Sequence, residues 1–311
     1  MCSKQVQEGA ILQCSAGSGP MSVLFHQGAL GDWVLVFPIL RALGKTIAVT
    51  ASSKACLAAS IIEGTVACDI EQPDLTRLHV DGGASAVGKS WRRRLNEAAT
   101  IVSFISRDDG AWAQNVRCVA PNAHLVFVDP RPPADWATHV CDWHEQQLRT
   151  AGVALVYRPV QPRVNPAGPI VIHPGSGGRD KCWPDDRFAQ LVSVLRGQGR
   201  SVQVLIGEVE NETWPRYRLR HWIETHGARV VDALDELRRI LAGARCYIGN
   251  DSGPTQLAAA MGVSTIVLFG PTRWEQWRPL GPAVTVLAPP MPGPMTWLEV
   301  GTVLDALKGR C

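Results

Sequence analysis

Short runs of β-branched and aliphatic residues alternate along the chain with stretches that carry apolar positions at helical spacing. That alternation predicts parallel strands covered by helices. In the first half the runs fall at 22–26, 46–50, 101–104 and 124–128, with helices expected over 32–43 and about 136–151. The pattern stops at 158–169, where four prolines in twelve residues carry no apolar periodicity and read as a connector. It then restarts, with strands expected at 170–173, 202–206, 246–249 and 265–269 and helices over 184–196, 255–261 and 296–308. The expected organisation is one α/β domain over 21–157, a linker over 158–168, a second α/β domain over 169–295 and a last helix over 296–311. Residues 1–20 lack the basic start and long apolar run of a signal peptide. They read either as a disordered extension or as the product of a start codon upstream of Met21.

Composition narrows the picture only a little. At 311 residues, 46% hydrophobic and 19% charged, the chain can bury two ordinary cores without a metal or disulfide staple. A net charge of +3 is too slight to imply nucleic acid. The nine cysteines are scattered, form no Cys-x-x-Cys pair and fit a reducing compartment. No apolar stretch approaches the ~20 residues of a membrane span. Eleven Trp against three Tyr and six Phe is unusual; some could line a sugar site, but most are expected on half-buried surface.

In open parallel sheets, ligands sit beyond the carboxyl ends of the strands, so the loops there hold the chemistry. The first such loop carries Gly28, Gly31 and Asp32 between strand and helix. Asp32 at or beside the helix cap reads by position first as a plain cap, and otherwise as a functional carboxylate; Gly28-x-x-Gly31 lacks the full spacing of a dinucleotide loop. The second, residues 173–184, offers three glycines, Ser176, Arg179 and Lys181 before a helix opened by Pro184, a composition suited to phosphate. The third brings Glu208, Glu210 and Glu212 to a strand end, either for ribose hydroxyls or simply to complement a helix dipole. The fourth is the most specific: Asn250-Asp251-Ser252-Gly253-Pro254 leads from a buried strand into a small-residue helix closed by Gly262, a ready anion site. His139-x-Cys141-x-x-His144 tempts a metal reading but lacks a fourth ligand and fits a helix instead.

These loops, in this order, resemble glycosyltransferase family nine, the ADP-heptose:lipopolysaccharide heptosyltransferases. The resemblance runs from about Met21 to the end. It rests on Gly31-Asp32-x5-Pro38, on His173-Pro174-Gly175-Ser176 with Lys181-x-Trp183-Pro184, and on Asn250-Asp251-Ser252-Gly253-Pro254 with Phe269-Gly270-Pro271-Thr272. It implies a GT-B fold, two Rossmann-like domains whose parallel sheets face each other across a cleft. It also implies an inverting transfer from an ADP-sugar, ADP-heptose foremost, to a lipopolysaccharide-core or other glycan or glycolipid acceptor, without metal or cofactor.

By the same resemblance Asp32 is the catalytic base, and Ser176, Lys181, Asp251, Ser252 and Gly253 hold the donor diphosphate and sugar. Glu210 is favoured among the three acids for the nucleoside. The implied location is cytoplasmic, peripheral on the inner face of the inner membrane, where Lys89, Arg92, Arg93 and Arg94 could meet acidic headgroups or acceptor phosphates. The chain departs from the family pattern at Gln256, where many relatives carry His. A non-catalytic sugar-nucleotide or glycan binder and a nucleotide-sugar epimerase of the same architecture are the competing readings.

Overall fold

The computed structural model describes residues 21–308. The choice between an extension and an early start for 1–20 lies outside the described residues. Five strands form the first sheet: β1 Met21–Phe25, β2 Thr46–Thr50, β3 Thr65–Asp69, β4 Ala98–Ser103 and β5 His124–Phe127. Their order is β3-β2-β1-β4-β5, and every pair is parallel. Six more form the second: β6 Ile170–His173, β7 Val202–Gly207, β8 Arg229–Val231, β9 Cys246–Asn250, β10 Ser264–Leu268 and β11 Val284–Leu287. These run β11-β10-β9-β6-β7-β8, again all parallel. All five residues of β2 and of β9 are buried, as expected of strands covered on both faces.

In both sheets the chain winds outward from its first strand one way, then returns to wind the other way. The carboxyl ends of β1 and β4, and of β6 and β9, therefore flank a topological switch point. The two sheets make this chain a GT-B fold. The domains meet through the helices that follow β1 and β9, Leu30–Leu35 and Gly253–Ala260. Trp33, Val34 and Leu40 from one side share a core with Leu257, Ala258 and Val263 from the other. Gly253 lets the backbones approach, since a Cβ there would stand 2.9 Å from Leu30 Cβ and 3.1 Å from Gly31 N.

Several expectations need correction. The single helix over 32–43 is two, Leu30–Leu35 and Phe37–Leu43, broken at Val36. Pro38 is the cause, because it has no N–H for the carbonyl four residues back. The last helix is also divided, into a 3-10 turn at Met295–Trp297 and a helix at Val300–Leu307. The helix expected from 136 starts at Val140, capped by His139. Strands β3, β8 and β11 were not expected at all. Six Trp residues, Trp33, Trp91, Trp112, Trp183, Trp214 and Trp222, are core side chains rather than half-buried ones.

Candidate functional site

Two of the cavities between the domains are lined by the residues expected at the site. One, of about 790 Å³, runs along the ends of β6, β7 and β8 and is lined by Glu208, Glu210 and Asp232 among others. The second, of about 800 Å³, is bounded by Asp32, Arg131, Lys181 and Trp277. Ala29, Gly31, Ser176, Gly177, Ser252 and Gly253 line both, so the cavities meet over the two switch-point loops of the second domain and the loop after β1. An extended ligand could lie in the first cavity and present one end to the second.

Asp32 occupies the third position of helix Leu30–Leu35, whose cap is Ala29 and not Asp32 itself. No side-chain cap bond forms there, and the exposed carboxylate borders the second cavity. Gly28 explains how it gets there. A Cβ at Gly28 would lie 2.8 Å from His26 Cε1 and 3.4 Å from Asp32 Oδ2, so only glycine lets both side chains converge. His26 is buried between the rings of Trp33 and Phe104, at centroid distances of 5.2 and 5.6 Å. Burial, with the Lys54 and His144 charges, pushes its pKa down to about 3, so the ring is neutral beside the carboxylate.

The loop after β6 is tied to the end of β9 by Asn250, which is fully buried. Its amide nitrogen donates to the Pro174 carbonyl at 3.0 Å and the Gly175 carbonyl at 3.2 Å; its oxygen accepts from Trp183 N at 3.0 Å. That staple brings Ser176 and Lys181 to the Asp251 segment. Ser176 Oγ donates to the Asp251 carbonyl at 2.7 Å, and Lys181 Nζ donates to Asp251 Oδ2 at 2.9 Å. Ser252 caps helix Gly253–Ala260 by position, while its hydroxyl lies 3.0 Å from Thr255 Oγ1. Pro254 at the second helical position has no N–H and Thr255 at the third is fully buried, so of the first three helical residues Gly253 is the one whose N–H lies at the junction of the cavities. Gln256 is buried and donates to the Trp277 carbonyl at 2.7 Å, a contact that shapes the second cavity.

Of the three acids after β7, Glu210 is the buried one, at 3% side-chain exposure. One carboxylate oxygen accepts from Gly207 N at 3.0 Å and lies 3.2 Å from His173 Nε2. Neither nitrogen of His173 makes a well-directed hydrogen bond, so the contact is one of proximity. Burial alone would raise the Glu210 carboxyl; His173 and the Gly207 N–H oppose it and hold the pKa below its ordinary value. A Cβ at Gly175 would overlap Glu210 Cδ and Oε1, so that glycine is the space the carboxylate occupies. Glu208 is exposed on the wall of the same cavity, whereas Glu212 does not line it.

The His139 segment holds the domains together. His139 Nδ1 accepts from Cys141 N at 3.1 Å, which fixes the other nitrogen as the donor to the Arg278 carbonyl at 2.8 Å, across the cleft. Gln276 donates to the Trp136 carbonyl, and Arg41 Nη2 to the Ala260 carbonyl at 2.9 Å, also between domains. His144 faces the Pro130 carbonyl at 3.0 Å and Cys141 Sγ the Leu35 carbonyl at 3.2 Å, so the three side chains of the motif point to three different partners. Among the described residues no group of three or more His, Cys, Asp or Glu side chains is placed to share an ion. Sequence reasoning missed Asn250 as a staple, His26 and Lys54. The last lies on helix Ser52–Ile61, whose pattern carries no distinguishing signal.

Residues 141–294 match the family model for glycosyltransferase family 9 (heptosyltransferase). Lipopolysaccharide heptosyltransferase 3 of Escherichia coli is 26% identical over 151 residues, 48% of this chain and 39% of its own length. Lipopolysaccharide heptosyltransferase 1 of Pseudomonas aeruginosa is 32% identical over 109 residues, 35% of this chain and 30% of its own. The sequence match thus spans well under half of those relatives. In structure the likeness is broader. The E. coli heptosyltransferase WaaC with ADP superposes with a TM-score of 0.66 at 16% identity, covering 94% of this chain and 100% of that one. The E. coli ADP-heptose lps heptosyltransferase II gives 0.62 at 16% identity, covering 93% and 98%. Those identities speak for the fold alone. Ser176, Lys181, Glu210, Asp251, Ser252 and Gly253 fall within the matched segment, and Asp32 falls outside it.

Proposed function

We propose, on the premise that this chain belongs to glycosyltransferase family 9, that it transfers a heptose or related sugar from an ADP-sugar to a glycan hydroxyl, with inversion. The observation that carries the reading is the junction of the two cavities: Asp32 borders one side, and a helix start with Ser176 lies where both meet. In this reading the nucleoside lies in the Glu210 cavity and the diphosphate crosses the junction. Asp32 takes the proton from the acceptor hydroxyl. The hydroxyl oxygen attacks the anomeric carbon from the face opposite the diphosphate, and the bond from that carbon to the phosphate oxygen breaks.

Negative charge then grows on the departing diphosphate, next to the Gly253 N–H at the helix start and to Lys181, which are already in place. Asp251 would repel that charge if it were free, but its Oδ2 is held 2.9 Å from Lys181 Nζ. Glu210 supports the nucleoside end by fixing the Gly207 turn. The acceptor takes the Asp32 cavity, where Trp277 lines the wall and Arg131 offers a charge to a sugar carrying an acidic group. No step calls on a metal or cofactor.

We place the reaction on a lipopolysaccharide-core or similar glycolipid at the cytoplasmic face of the inner membrane. The basic helix Lys89–Asn96 would be one point of peripheral contact. Among the described residues no helix is long and apolar enough to cross a membrane. Calorimetry of the protein with ADP-, UDP- and GDP-sugars tests the donor site, and binding to none of them would sink it. Asp32→Asn should keep ADP affinity and abolish transfer. If the wild type binds donor yet transfers to no lipid-core or oligosaccharide acceptor, the non-catalytic reading takes over.

A further inference from the structure

The Glu210 cavity has an uneven charge lining. Its acids, Glu208, Glu210, Asp232 and Asp235, all follow β7 or β8, at the outer side of the second sheet. Among the described residues its one Lys or Arg is Lys54, which comes from the other domain, on helix Ser52–Ile61 after β2. Lys54 shares that wall with Ser176, Gly177, Ser252 and Gly253, the residues at the junction. Lys181, the cation expected at this site, borders the Asp32 cavity instead and is already paired with Asp251. A diphosphate lying across the junction therefore has, on the first-domain side, a cation with no ion-pair partner among the described residues.

Lys54 is also bound to the loop that carries Asp32. Its Nζ donates to the Gly28 carbonyl, and its backbone carbonyl accepts from Trp33 Nε1 at 2.9 Å. An ammonium has three N–H donors, so the Gly28 bond leaves two for phosphate oxygens. The side chain is half-buried; burial lowers its pKa from the ordinary lysine value, and the charge of Asp32 opposes that shift.

We propose that Lys54 is a donor-binding residue supplied by the first domain, contacting the donor's phosphates across the cleft while it holds the Asp32 loop through Gly28. The inference rests on the glycosyltransferase reading of the junction. It makes donor binding a two-domain event, in which the same side chain that meets the leaving group also fixes the base.

The test is calorimetry of ADP, AMP and adenosine against wild type, Lys54→Gln and Lys54→Arg. Lys54→Gln keeps a donor for the Gly28 carbonyl and removes the charge. The expected result is an ADP affinity lower by about 10-fold or more in Lys54→Gln, adenosine affinity unchanged, and ADP affinity largely recovered in Lys54→Arg. Far-UV circular dichroism and melting temperature confirm that each variant folds; should Lys54→Gln not fold, the ADP-to-adenosine affinity ratio of Lys54→Arg and its dependence on ionic strength carry the test. An ADP affinity in Lys54→Gln within twofold of wild type, or an equal loss for adenosine, overturns the assignment. Wild-type protein that binds no nucleotide sinks the glycosyltransferase reading itself, a different outcome from wild type and Lys54→Gln binding ADP equally well.

Discussion

Replacing His26 with Gln removes a titrating ring from a site where protonation is strongly opposed. The imidazole is 2% exposed, packed between Trp33 and Phe104, with Nδ1 unpartnered and the Lys54 ammonium nearby. Burial first, then the Lys54 and His144 charges, lower its pKa from 6.5 to about 3 in the folded protein. The unfolded chain therefore takes up the proton at higher pH than the folded one, so His26 favours the folded state fully above 6.5 and progressively less as pH falls toward 3. At 1.36 kcal/mol per pKa unit the whole effect is about 5 kcal/mol. Roughly 1 kcal/mol of it is lost by pH 5.5 and roughly 3 kcal/mol by pH 4.5. Urea unfolding of both proteins at pH 7.5, 5.5 and 4.5, followed by Trp fluorescence, measures this directly. His139 and His144 also resist protonation, but both proteins contain them, so they cancel in the difference. The stability gap between wild type and His26→Gln should close by those amounts as pH falls. A gap that stays constant with pH would refute the claim that burial keeps this ring neutral.

Lys181→Ala should weaken ADP binding more than a lost contact alone would, because it leaves Asp251 unpaired beside the diphosphate; Lys181→Ala with Asp251→Asn should recover part of the loss by calorimetry. Asn250→Ala strips partners from two carbonyls and one N–H inside the second domain, and should cost about 2–4 kcal/mol in denaturant unfolding and lower ADP affinity with it. Gly253→Ala places a methyl against Leu30 and Gly31, which the interface can accept only by opening. It should cost about 1–3 kcal/mol and raise the radius of gyration measured by small-angle scattering; an unchanged radius with unchanged stability would contradict the close approach.

Much of the fold is legible in the residues because strands buried on both faces must be written as continuous apolar runs. Seven of the eight strands legible in the sequence are of that kind or close to it; β5, an edge strand with one buried residue of four, is legible from its apolar run alone. The three that escape reading, β3, β8 and β11, are all edge strands. Each pairs with a single neighbour, and the sequences Thr65–Asp69 and Arg229–Val231 mix polar and apolar residues accordingly. The site divides the same way. Asp251, Ser252 and Gly253 announce themselves, since a strand running into a short polar turn, a proline and a small-residue helix has few other uses. Lys54 gives no such sign: a lysine on a helix of low amphipathicity looks like any solvated lysine, and its importance comes from facing a cavity formed by a domain more than a hundred residues away.

The two α/β units, the proline-rich break between them and the order of the ligand loops follow from local pattern, because backbone propensity and burial are written locally and repeat with the period of each element. Which charges are paired and which face a cavity depends on how the chain folds back on itself. The tertiary fold paired Lys181 with Asp251, buried Glu210 against His173 and Gly175, moved Asp32 from the cap of its helix into the cavity, and brought Lys54 across to the junction. Those outcomes depend on distances between segments far apart in the chain, and electrostatic interactions are set by such distances and by burial, neither of which a local pattern contains.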